Sequence, residues 1–198
     1  MAREVKCQEC TEKQLFDPEV MTYVEKTYET SGKTVKRYFH IECLNKYKEK
    51  QEKLDLENEQ LDSLVEVAGQ IHEAPKPPNL AYQLPRSWYH MVQDIRNGTD
   101  RYTRKFKKRY KKGIPYPIIE RAYKMSKDSI RWAKMDKQFK EFKDEVRYSL
   151  AIVSSNIPDA LRKAEREEQA ERVAIAREQQ MRQEHEENTQ REVSYKKK

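Results

Sequence analysis

All three cysteines of this chain fall between residues 7 and 43, in the order Cys7-x2-Cys10, then 29 residues, then His40-x2-Cys43. Two ligands separated by two residues can reach one ion from a single tight turn, and Zn²⁺ takes four nitrogen or sulfur donors in a tetrahedron. Two such pairs require the chain to fold back on itself within its first 43 residues, the strongest restriction the sequence contains. Buried thiols can also act as small hydrophobes, and a CxxC pair can serve redox chemistry. Neither alternative explains why a histidine stands before Cys43 at the same spacing. The pattern therefore predicts one structural zinc per chain, held by Cys7, Cys10, His40 and Cys43. Four protein ligands leave no open coordination position, so the metal is expected to hold the fold and to do no chemistry.

Between the ligand pairs, 20–28 and 34–39 are rich in β-branched and aromatic residues, and Glu29-Thr-Ser-Gly32-Lys33 supplies a turn. His40 and Cys43 then open a long helical pattern. The order of knuckle, hairpin and helix-borne ligands resembles a treble-clef zinc finger, including half of a LIM-type module.

Charged residues make up 38% of the chain and hydrophobic ones 36%, with a mean hydropathy of −1.16. No membrane span is expected, and Met1-Ala-Arg-Glu4 lacks the apolar stretch of a secretory signal. An odd number of cysteines in this arrangement fits a reducing cytoplasm. Four glycines, none clustered, leave no phosphate-cradling loop. The net charge of +7 is uneven: residues 86–150 hold 19 basic and 8 acidic residues, +11, and the remainder holds 22 and 26, −4. A basic middle implies a polyanionic partner or an acidic protein surface.

The chain reads as mainly α. Residues 1–72 form the zinc finger and a connecting helix. In that helix Leu44, Tyr47, Gln51, Leu54, Asn58, Leu61, Val65 and Ala68 alternate three and four apart, a seam expected to pack within the protein. Residues 73–86, with four prolines between Pro75 and Pro85, form an extended linker whose Tyr82 and Leu84 can dock on a neighbouring element. Residues 87–157 form a basic helical domain. Ser87 is the expected N-cap of its first helix, which ends at Asn97-Gly98; Ile118–Ala133 and Phe139–Val153 mark later helices. Pro158 suits the first turn of a new, highly charged helix, so 158–198 is assigned to an exposed helix and a disordered lysine tail.

The candidate binding surface is Arg101, Arg104, Lys105, Lys107, Lys108, Arg109, Lys111 and Lys112, eight cations in twelve residues. Tyr102, Phe106 and Tyr110, spaced by four, can face a core while the cations meet phosphate. With almost no residue suited to reading base edges, this helix favours backbone contact over sequence recognition. Catalysis finds no constellation: His40 is spent on metal, and His72, His90 and His185 lie far apart, His72 and His90 flanking the linker without an acidic cluster. No enzyme and no small-molecule substrate are expected.

The CxxC start and Phe39-His40-Ile-Glu-Cys43, followed by the Lys- and Tyr-rich region around Lys112-Gly113-Ile-Pro-Tyr116, resemble small, uncharacterised zinc-binding proteins of phages of Gram-positive bacteria. This resemblance implies an accessory role in DNA or RNA transactions, or the binding of a host protein. The expected function is non-enzymatic nucleic-acid binding, DNA or RNA; the alternative is an adaptor within a larger protein complex.

Overall fold

The residues flanking Gly32 pair as the period-two pattern requires. β3 (Met21–Tyr28) and β4 (Lys33–His40) run antiparallel with Met21 opposite His40 and Tyr28 opposite Lys33, and Gly32 N–H closes the turn on Tyr28 O at 2.7 Å. A smaller hairpin precedes them, β1 (Glu4–Lys6) with β2 (Lys13–Leu15). Among the described residues four helices follow: α1 (Ile41–His72), α2 (Arg86–Asn97), α3 (Tyr116–Lys137) and α4 (Phe142–Tyr195). The protein is thus mainly α, with β-hairpins at its N-terminus. This computed structural model describes residues 4–28, 31–99 and 112–195, with side chains to residue 185.

The chain divides into two compact units, Met1–Gln60 and Leu61–Lys198, with α1 contributing to both. The first has a small core of Val5, Cys7 and Met21, edged by Phe16, Tyr38 and Cys43. Phe39 is fully buried and packs on Tyr47 with ring centroids 4.5 Å apart. A core this small is short of apolar area, the situation in which a metal supplies folding energy.

The second unit is built on Trp88, Val92 and Ile95 of α2, Ile119, Ala122, Tyr123 and Ile130 of α3, and Val146, Leu150, Val153 and Ile157 of α4. These are three- and four-residue spacings, so each helix turns one stripe inward. At the centre Trp88 Nε1–H donates to Tyr123 Oη at 2.7 Å, satisfying both buried polar atoms. Leu64, Val65, Ala68 and Ile71 of α1 complete this core. The α1 seam is therefore buried at its C-terminal end, whereas Leu54 is 51% exposed.

The proline-rich stretch is docked here. Leu84 and Ala74 are buried, and Gln83 N–H bonds Pro75 O at 2.8 Å. Tyr82 lies so close to α1 that a Cβ on Gly69 would stand 2.1 Å from its Cγ.

Helix boundaries differ from expectation: α4 begins at Phe142 rather than Phe139, and two others depart at prolines. α2 begins after Pro85, whose carbonyl accepts from Trp88 N–H at 2.8 Å, so Ser87 lies inside the first turn and makes no cap. The fixed φ of proline sets the helix start without a side-chain cap. Its end is as expected: Gly98 takes φ 68 and donates to Ile95 O. At the other site, α4 does not restart at Pro158 but runs through it. Ile157 and Ala160 on either side are fully buried, and their packing outweighs a helix-breaking cost of about 3 kcal/mol.

Candidate metal centre

Cys7 follows β1 directly, and its backbone makes the knuckle. Its N–H donates to Glu12 O at 2.9 Å and its carbonyl accepts from Thr11 N–H at 3.1 Å, with Thr11 in the left-handed region at φ 66. Gln8 N–H bonds Tyr38 O at 2.9 Å, pinning the knuckle to β4. His40 is the last residue of β4, and Cys43 lies in the first turn of α1. Ile41 N–H donates to Val20 O at 3.1 Å, so the first residue of α1 is tied to the residue before β3.

These elements bring Cys7, Cys10, His40 and Cys43 together, their ligand atoms all within 4.8 Å of one another. Cys10 Sγ lies 3.3 Å and Cys43 Sγ 3.8 Å from His40 Nδ1. Ordinary zinc bond lengths give tetrahedral edges of about 3.5 Å between sulfur and nitrogen and about 3.8 Å between sulfurs. The donor set and its spacing fit a divalent, thiolate-loving cation. Glu12, Glu19 and Glu42 line the same depression and make its field more favourable for one.

The thiols are unequal. Burial pushes the Cys7 thiol up, but the backbone N–H groups of Cys10, His40 and Glu9, together with the Cys10 side chain, outweigh it and bring the pKa down to about 6. Cys43 is pushed up to about 11 by burial, by hydrogen bonding with Cys10 and Cys7, and by the charge of Cys7. One thiolate is therefore ready before any cation arrives, and Cys43 must lose its proton as a cation binds.

The other candidates fare differently. Arg101, Arg104, Lys105, Lys107, Lys108, Arg109 and Lys111 lie outside the described residues; Lys112 is described and exposed. His72 was expected to stand without an acidic cluster, yet its Nδ1 lies 2.8 Å from Glu145 Oε1, with Lys134 Nζ 3.6 Å from the same oxygen. At 2% exposure, with Nε2 buried and unpartnered, His72 faces no substrate. Burial holds its pKa below the ordinary 6.5, against the opposing pull of Glu145. Sequence reasoning also passed over the outward side of α3, where Lys124, Lys127 and Arg131 stand near an exposed Trp132; cations three and four apart there were legible only as an ordinary solvated face.

A family model described as SPbeta prophage protein YorH matches residues 7–198. The chain belongs to this family. The match begins at Cys7, so all four ligands lie within it, and the expected phage connection holds. No curated protein and no solved structure matches. Among the described residues no helix is long and apolar enough to cross a membrane.

Proposed function

We propose that this phage-family protein is a non-enzymatic zinc-finger protein that binds nucleic acid, chiefly through phosphate contacts from the basic segment Arg101–Lys112. The observation that carries the reading is charge: eight cations in twelve residues, within a region of net +11. The counterions that such a segment displaces from a polyanion supply sequence-independent affinity. Cys7, Cys10, His40 and Cys43 hold one zinc in a treble-clef arrangement, with the knuckle, the β3–β4 hairpin and the start of α1 in that order. With all four positions filled by protein, zinc supplies folding energy and no Lewis-acid chemistry.

The test is binding of duplex DNA, single strands and RNA at about 0.1 M salt, where backbone contacts still dominate. Neutralising Lys105, Lys107, Lys108, Arg109 and Lys112 should weaken all duplex sequences alike and flatten the log–log salt dependence by up to about 0.9 per lost contact. A folded protein that binds none of the three favours the second reading, an adaptor that docks other proteins. Trp132 and Met135, 65% and 83% exposed on α3, support that alternative, because tryptophan and methionine are enriched at interfaces.

A further inference from the structure

Between the last turns of α1 and the outward side of α3 lies a groove of about 430 Å³, lined by Val67, Gln70, Ile71, Lys124, Lys127 and Arg131. Val67 and Ile71 give it an apolar floor. The three cations stand at i, i+3 and i+7, one side of the helix, stepping about 4.5 and then 6 Å along its axis. No acid lines the groove. Lys124 shares its charge with Glu120 at 2.6 Å, whereas Lys127 and Arg131 have no acidic partner among the described residues. A row of like charges on one helix face repels itself, and a bound polyanion reverses that cost. Lys134, further along α3, is by contrast already engaged by Glu73 and Glu145.

We propose that this groove holds one strand of single-stranded nucleic acid, with phosphates on Lys124, Lys127 and Arg131 and a sugar or base edge over Val67 and Ile71. The proposal rests on the nucleic-acid reading above and adds a second contact with a strand preference. A duplex offers its outside as phosphate and gains nothing from an apolar floor, whereas an unpaired strand can use both. A long polyanion also answers the eight cations of residues 101–112, which a short acidic peptide in the groove does not.

The experiment uses the full-length protein, a labelled oligothymidylate and a duplex of equal length. Lys127→Glu with Arg131→Glu changes exposed positions only, so folding survives, as an unchanged far-ultraviolet circular dichroism spectrum and thermal transition would verify. Affinity for oligothymidylate should fall about tenfold or more, with the salt slope flatter by about 0.7 per lost contact, and duplex affinity should hold within about twofold. An equal loss on both probes, or none on oligothymidylate, overturns the groove. If the groove variant has no effect while neutralising Lys105, Lys107, Lys108, Arg109 and Lys112 removes duplex binding, the groove fails and the proposed function stands. A wild-type protein that ignores both nucleic acids but binds polyglutamate overturns both and assigns the groove to an acidic protein.

Discussion

Cys43 is the ligand of the candidate site that resists deprotonation most. Burial first, then hydrogen bonding with Cys10 and Cys7 and the charge of Cys7, push its thiol up to about 11, and a bound cation would favour the thiolate. Protein prepared without chelator should contain about one zinc per chain by elemental analysis, and Cys43→Ser or His40→Ala should lose it together with the hairpin signal in circular dichroism. Metal-free wild-type protein with intact hairpins would refute the assignment. His72 makes a second residue-scale prediction. Its folded pKa lies below 6.5, so the unfolded chain binds more protons as pH drops below that value, and stability present above pH 6.5 is lost on acidification. Urea midpoints followed by Trp88 fluorescence should decline between pH 7.5 and 5.5. The decline should be shallower in His72→Phe, which leaves Lys134 and Glu145 paired; parallel slopes in the two proteins would remove His72 from the account.

At the scale of elements, α1 and the proline-rich stretch are locked by one close approach. Alanine at an ordinary helical glycine stabilises by about 0.5–1 kcal/mol, but at Gly69 the new methyl meets the root of the Tyr82 ring. Gly69→Ala should instead destabilise by about 1–3 kcal/mol, and much less so in a Tyr82→Ala background. Additive effects in that double-mutant cycle would show that the two do not touch. α4 offers the opposite sign. Pro158 is exposed and donates no backbone bond, so Pro158→Ala restores one helical hydrogen bond while loosening the unfolded chain. The net gain should be about 1–2 kcal/mol, read as a rise of several degrees in Tm. A fall in Tm would mean that the proline ring is itself packed.

For the whole molecule, the two units have separate cores, and the Cys7, Cys10, His40 and Cys43 cluster lies in the first. Both tryptophans, Trp88 and Trp132, lie in the second unit. Strong chelation should therefore abolish the β-hairpin signal of the first unit and leave tryptophan fluorescence and its thermal transition in place. Simultaneous loss of both signals would show that the second unit needs the first.

Much of this was written locally. The strands flanking Gly32, the extent of α1 and the stop at Gly98 follow from contacts between residues close in sequence, and the paired spacing of Cys7, Cys10, His40 and Cys43 marks a cluster although its two halves lie some 30 residues apart. The docking of Tyr82 and Leu84 was also foreshadowed, because apolar residues among prolines have few other places to go. Three features were decided only by tertiary structure. Helix α4 passes Pro158 because Ile157 and Ala160 are buried, an energy no local window contains. His72 gains Glu145 across 73 positions, and its burial against that partner makes it a core residue, which its own segment did not show. The groove cations of α3 acquire meaning from Val67 and Ile71, which α1 places beside them. Local chemistry sets which elements form; the long-range burial of their faces decides where a helix may continue, which charges are paired and which are left facing a partner.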